Sequence, residues 1–324
     1  MPITEAQREA RRHHIGASDV FKIVSKQGIY DMWLEKCPEG QEPRVTGQNT
    51  ETRSMRWGTI LEPELMRWAG EQLAEQGELL TVETMKHETL NLAANLDKLL
   101  AQHVTHKPIT VVEGKTSGLT GANTSYRTVD GWRYGFGDPD LNELGDPVIF
   151  QVQAQLMCLA SATGVEAAYA YVPALLKTDN PNDGLVERMY RVELDGDICE
   201  WIAEEVQAFW ELVKRGIPPE NCPPPSLDVV KRMKRVPAKT ISIPYGMWAE
   251  LDSVRQAKNQ LEKRAKVLSG KLQAAMGDAE YGVFPGREGA VKISTVHIAE
   301  SKPRVYDRTD VRFVKNGVPE NESE

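Results

Sequence analysis

Residues 110–118 read TVVEGKTSG, a β-branched run that ends by setting Glu113 and Lys115 two positions apart. A strand sends successive side chains to opposite faces, so these two charges share one face while Gly114 belongs to the other. Such a pair marks either a solvated edge or a site, and Glu-x-Lys alone arises too readily by chance to decide which. Strand-like runs at 79–85, 90–96 and 109–115, separated by polar connections, predict a meander. Asp97 follows the second run, sixteen residues before Glu113, so a hairpin-like connection would bring the two carboxylates together. With the Gly114 carbonyl they would form part of an octahedral Mg²⁺ shell, Mn²⁺ being the alternative ion. Lys115 would then hold a water or offset charge developing on a phosphorane, which is the chemistry of phosphodiester hydrolysis.

Helical patterns flank this meander. In MRWGTILEPELMRWAGEQLAEQ, 55–76, Leu61, Leu65, Trp68, Ala69 and Leu73 recur at helical spacing, Pro63 belongs near a first turn or at a kink, and Gly77 is suited to stop the helix. VIFQVQAQLMCLASATG, 148–164, is helical in composition, and its Gln153 and Gln155 read as helix surface. EAAYAYVPAL and VERMYRVELD read as strands, followed by a helix over 199–215 with Ile202, Val206, Phe209 and Val213 on one face. Upstream, 11–36 passes through Gly-Ala-Ser-Asp into two short helices, with Ser18 or Asp19 as N-cap. Residues 117–147 read as a long loop with one short hairpin. The order indicates a mixed α/β domain ending near Pro218. After the Pro-rich break GIPPENCPPPS, 216–226, Leu251, Val254, Leu261, Ala265, Leu268, Leu272 and Ala275 follow a 3-4 spacing that only Lys258 interrupts, predicting a long amphipathic helix stopped by Gly277. A small sheet and an acidic tail are expected beyond it.

The formal net charge of −8 votes weakly against nucleic acid, yet 231–271 holds eleven Lys and Arg against three acids, a local +8 that leaves −16 elsewhere. That remainder would repel DNA unless its acids are held away or neutralised by cations. The four cysteines are scattered without a CxxC pair, which argues against a zinc finger or a disulfide framework and for a reducing cytoplasm. His13, His14, His103 and His106 lack ligand spacing. No long apolar run predicts a membrane span or a secretion signal. Trp57, Trp132 and Trp201 are candidates for base stacking, with packing the plainer reading.

Several segments, in order, resemble one family: IGASDV at 15–20, MRWGTILEPEL at 55–65, Asp97, EGKTS at 113–117, QVQAQLM at 151–157 and FWELVKRGIPP at 209–219. The set is similar to the YqaJ-like viral recombinase and phage lambda exonuclease family, of the PD-(D/E)xK nuclease class. The resemblance implies an α/β restriction-endonuclease-like core, a central mixed sheet flanked by helices, over 1–219. A Pro-rich linker, 220–230, and a C-terminal basic helix with a small β region, 231–324, would follow. By position, it makes Asp97 and Glu113 the metal-binding carboxylates, Lys115 the catalytic lysine, Glu62 a helix-borne glutamate completing the acidic site, and Gln151 a group that orients the lysine or substrate. Arg11, Arg12 and Ser18 match a pocket for a 5′-phosphate. This chain departs from the family in reading NLDKLL around the aspartate and in placing Gly114 where an apolar residue is usual.

The function implied is a Mg²⁺-dependent DNA exonuclease of phage-type recombination, degrading one strand of linear duplex from its 5′ end and leaving a 3′ tail. A RecT-like or Beta-like annealing protein would be its partner, double-stranded DNA ends its substrate, a homo-oligomer (a trimer by resemblance) its assembly, and the cytoplasm of a bacterial cell its location. A repair or restriction-type endonuclease and a non-catalytic DNA-end-binding or recombinase-loading module are the alternative readings.

Overall fold

Alternation along two neighbouring strands decides how the site is enclosed. The computed structural model describes residues 12–36, 38–39, 42–43, 52–120, 124–177, 184–233, 235, 237–238, 240–279, 281–283 and 290–292. They divide into two compact units, 1–234 and 235–324. The first is built on a mixed sheet of β1 (Glu78–Leu80), β2 (Lys98–Ala101), β3 (Pro108–Val112), β4 (Lys115–Ser117), β5 (Tyr169–Lys177) and β6 (Leu185–Glu193). The spatial order is β6-β5-β3-β2-β1, with β4 also pairing β5. β3 and β4 both run parallel to β5, in registers Val112↔Tyr171 and Lys115↔Ala174, so they form one strand interrupted at Glu113–Gly114. The Glu113 N–H still donates to the Tyr171 carbonyl at 3.0 Å across the break. The remaining pairs are antiparallel, and Lys98 faces Val112.

Helix α1 (Arg53–Gln72) packs on β4 and β5, whereas α2 (Asp146–Thr163) packs on β3 and β5. Leu99 and Val111 join the main core with Val152, Leu156 and Leu159 of α2, while the next residues along, Leu100 and Val112, join Leu65, Met66 and Ala69 of α1 and Leu73 at its C-cap. Strand alternation alone produces this division. Each such aliphatic side chain, taken fully out of water, contributes about 1.5–3 kcal/mol before chain entropy is set against it. Helix α3 (Gly196–Arg215) is capped by Asp195, whose carboxylate accepts from the N–H groups of Asp197 and Ile198, and it buries Ile202, Val206, Phe209 and Val213 as its spacing predicts.

A smaller sheet holds the N-terminal motif. Ile15–Gly16 pairs in parallel with Leu92–Ala94, which pairs antiparallel with Met85–Lys86. Gly16 leads into the 3-10 turn Ala17–Asp19, which packs on α2, then into the helix Val20–Val24 and, further on, the helix Ile29–Lys36. Asp19 takes the N-cap position of Val20–Val24, but neither it nor Ser18 caps through its side chain: Asp19 instead accepts from Lys22 Nζ at 2.8 Å.

Other details depart from sequence expectation for local reasons. Pro63 lies inside α1, which runs on past it, and the helix begins earlier than its apolar stripe because Thr52 Oγ1 accepts from the Met55 N–H at 3.2 Å. The helix ends at Gln72, short of Gly77; a Cβ on Gly77 would sit 2.2 Å from the Ala101 carbonyl oxygen, so glycine there permits the backbone to cross β2 closely. The meander contains a strand, Lys98–Ala101, that starts directly after Asp97. In the 117–147 stretch, Arg127–Val129 and Trp132–Tyr134 form a hairpin through Asp130 and Gly131, both at positive φ, as an Asp-Gly primed turn requires. The stretch expected as a linker is packed near its end: the Ser226 N–H donates to Asp31 at 2.7 Å, Val229 is buried, and Arg232 pairs with Glu35 at 2.8 Å.

In the second unit, α4 (Tyr245–Met276) ends at Gly277 as its pattern predicts. Tyr281–Val283 pairs with Ala290–Lys292, the part of the expected small sheet that falls within the described residues. No helix among the described residues is long and apolar enough to cross a membrane.

Candidate active site

The break between β3 and β4 gathers the charged residues. Because Lys98 pairs with Val112, Asp97 arrives level with the break, and its Oδ2 accepts from the Gly114 N–H at 2.8 Å. On the α2 face, Glu113 is buried and every carboxylate oxygen has a donor. Oε1 accepts from Lys115 Nζ at 2.6 Å and from Gln151 Nε2 at 2.6 Å, and Oε2 accepts from Gln155 Nε2 at 2.6 Å. Gln151 Oε1 in turn accepts from Lys115 Nζ at 2.9 Å, closing a triangle of Glu113, Lys115 and Gln151. Glu62 is exposed on α1, near enough that its charge acts on Asp97.

On the opposite side of the broken strand, α1 sits directly over Gly114. A Cβ there would lie 2.4 Å from Met66 Cε, 3.3 Å from Leu65 Cδ2 and 3.5 Å from Asp97 Oδ2. This accounts for glycine between Glu113 and Lys115: the room an apolar side chain would fill is taken by Met66. Gly114→Ala is expected to destabilise the protein by no more than about 1 kcal/mol, read by urea denaturation, because the terminal methyl of the flexible Met66 side chain can turn aside.

Asp97 is pushed up from its ordinary 3.8 to about 7, first by burial and then by the negative charge of Glu113; the Gly114 N–H and Lys115 pull the other way without prevailing. Two carboxylates therefore crowd one place with less positive charge than they need, a condition that a divalent cation relieves. Among the described residues no three His, Cys, Asp or Glu side chains converge closely enough to hold an ion by themselves. That is compatible with Mg²⁺, which keeps several waters and takes one or two carboxylates together with substrate phosphate. The donors here, two carboxylates and a carbonyl, are all hard oxygen.

Ser18 lies exposed in the 3-10 turn that packs on α2, two residues after a strand paired with Leu92–Ala94. Arg12 is exposed, and Arg11 lies outside the described residues. Two readings of α2 are corrected. Gln153 and Gln155 are both fully buried, because α2 is enclosed by the sheet on one side and α3 on another. Gln153 donates to the Glu193 carbonyl at 2.7 Å and accepts from the Asp195 N–H at 3.1 Å, fixing the turn between β6 and α3. Gln155 stands one helical turn from Gln151 and holds the other oxygen of Glu113; the i, i+4 pair of glutamines was the signal that could have revealed it.

Asp146 in the first turn of α2 was also missed. It accepts from the Arg133 backbone N–H at 2.7 Å and pairs with the Arg133 guanidinium at 2.6 Å, anchoring the helix that carries both glutamines. Trp132 stacks on Trp201 with centroids 5.9 Å apart and meets Phe21 and Phe150 edge-on, so it serves packing. Gln155→Ala is expected to cost about 1–3 kcal/mol by leaving Glu113 Oε2 without that donor, and to reduce any activity of the site; paired denaturation and activity measurements check it.

A broken strand bearing Glu-x-Lys, an aspartate at the head of the neighbouring strand, and helices on both faces define a mixed α/β core of the PD-(D/E)xK kind. Residues 8–166 match the sequence profile of the YqaJ-like viral recombinase domain, and this part of the chain belongs to that family. Among solved structures, an alkaline exonuclease from Laribacter hongkongensis is similar at 18% identity over 66% of this chain and 94% of its own, with a TM-score of 0.43. A phage-related exonuclease from Haemophilus somnus 129PT is similar at 12% identity over 62% and 94%, with a TM-score of 0.39. A putative exonuclease from Eubacterium rectale is similar at 12% identity over 75% and 97%, with a TM-score of 0.39. No curated protein matches the chain.

Proposed function

We propose that this chain is a metal-dependent DNA exonuclease of phage-type recombination, removing one strand of linear duplex from the 5′ end and leaving a 3′ single-stranded tail for a RecT-like or Beta-like annealing protein. The observation that carries the proposal is the triangle of Glu113, Lys115 and Gln151 beside Asp97. Asp97, Glu113 and the Gly114 carbonyl would hold Mg²⁺, or Mn²⁺ in its place, with Glu62 adding a contact from α1. Bound there, the ion would supply Lewis acidity at the scissile phosphate and lower the pKa of an attacking water.

The protein groups have separate tasks. Lys115 spends two donors on Glu113 and Gln151, which fix its direction, and its third N–H remains for a phosphate oxygen or the attacking water. Gln151 keeps the ammonium aligned, and Gln155 keeps the Glu113 carboxylate from rotating. Arg11, Arg12 and Ser18 are assigned the terminal 5′-phosphate, and a homo-oligomer, a trimer by the family resemblance, would keep the enzyme on its strand.

The test is digestion of linear duplex with 5′-phosphate or 5′-hydroxyl ends against closed circular DNA, with and without Mg²⁺, for wild type and Lys115→Ala. Mg²⁺-dependent loss of the linear substrate alone, faster from the 5′-phosphate and about 10²–10³-fold slower in the variant, is the expected result. Cutting of the circle would make the enzyme an endonuclease. Binding of ends without cleavage would make it a loading module.

A further inference from the structure

Helix α4 runs for 32 residues, about 48 Å, and none of its side chains is buried. Its apolar residues nevertheless keep heptad spacing: Leu251, Ala265 and Leu272 take a positions, Met247, Val254, Leu261, Leu268 and Ala275 take the d positions, and Lys258 occupies the remaining a position. Val254 is 61% exposed, Leu261 65% and Leu268 54%, an apolar seam on a single helix interrupted at Lys258. The charges beside the seam identify what covers it.

We infer that the seam pairs with the same helix of a second copy of this chain, antiparallel, in the register that sets Lys258 against Leu261 of the other copy. In that register Leu251 meets Leu268, Val254 meets Ala265 and Met247 meets Leu272. The flanking g positions oppose Glu250 to Lys271, and the e positions oppose Arg255 to Glu262. By symmetry each attraction occurs twice.

The competing arrangements are penalised by named charges. A slip of one heptad in one direction brings Glu262 against Glu262 and Arg264 against Arg264. A slip in the other direction brings Arg255 against Arg255 and keeps two attractions, Glu250 with Arg264, where the favoured register has four. A parallel, in-register pair keeps the attraction of Glu250 for Arg255 but buries Lys258 against Lys258 in the seam, where like charges are costly. In the antiparallel register the Lys258 stem packs on Leu261 while its ammonium stays toward Glu262, with which it already pairs within the helix at 3.6 Å.

The test is light-scattering mass of the full chain over a dilution series, with circular dichroism to confirm helix content. Leu261→Glu with Leu268→Glu should halve the particle mass, whether the nuclease units are single or already grouped. Arg255→Glu should raise the midpoint of dissociation about tenfold, and adding Glu262→Arg to it should bring the midpoint back toward the wild-type value, the new carboxylate at position 255 replacing Glu262 as the i, i+3 partner of Lys258. In a parallel pair that double exchange leaves Glu250 facing a glutamate and does not restore the midpoint, which would overturn the inference. An unchanged mass in the double leucine variant would overturn it too, since the seam would then be covered by the chain's own residues or by a different partner.

Discussion

Digestion of linear duplex by Glu113→Gln is expected to fall by about 10³-fold or more at saturating Mg²⁺, with the fold intact. The reason lies in the hydrogen bonds around this side chain. The carboxylate accepts from Lys115 and Gln151 on one oxygen and from Gln155 on the other. An amide in its place can still accept on the first side through its oxygen. On the second side its NH₂ would confront the NH₂ of Gln155, but Gln155 Oε1 is buried without a partner and a half-turn of that amide would present it to the new donor. Packing and hydrogen bonding therefore survive the change, and what disappears is the negative charge that the proposed cation would need and that pairs with Lys115. Steady-state digestion beside a thermal melt separates the two. A variant that melts like wild type and retains activity within tenfold would show that Glu113 is not a metal ligand.

The metal-free protein is expected to melt about 5 °C higher at pH 5.5 than at pH 8.5 on account of Asp97. Its carboxyl is raised in the folded protein from 3.8 to about 7. Between about pH 4 and pH 7 the folded protein therefore holds a proton that the unfolded chain has released. Folding takes up that proton, stability declines as pH rises through the window, and the loss is complete above the folded value. Asp97→Asn should flatten the dependence. Mg²⁺ should raise the melting temperature at pH 8.5 and do little at pH 5.5, because proton and cation compete for the same carboxylates. The charge of Glu113 is the second cause of the shift, so Glu113→Gln should also lower the titration of Asp97. A melting temperature indifferent to pH in both wild type and Asp97→Asn would mean that Asp97 is not buried against a second negative charge.

Much of this site was legible in the chain itself. The β-branched run ending in Glu113-Gly114-Lys115, the heptad spacing of 251–275 and the apolar face of 202–213 are periodic, and periodicity follows from backbone geometry that acts within a few residues. Ordered motifs placed Asp97, Glu62 and Gln151 in one family. What stayed illegible involves residues whose partners are remote in sequence. Gln153 and Gln155 read as surface because a polar residue in a helix usually faces water; α2 is enclosed by the sheet and α3, and their amides meet Glu193, Asp195 and Glu113. Asp146 holds Arg133 of the hairpin, thirteen residues earlier, a contact that no local spacing announces. Gly114 read only as a departure from the apolar residue usual in the family, yet Met66, brought over it by α1, fills the place of its missing side chain. Local patterning placed most of the strands and helices and the charges at Asp97, Glu113 and Lys115. Tertiary structure alone decided how that charge is satisfied, because a buried carboxylate takes whatever donors packing brings to it, and packing joins segments that no local pattern connects.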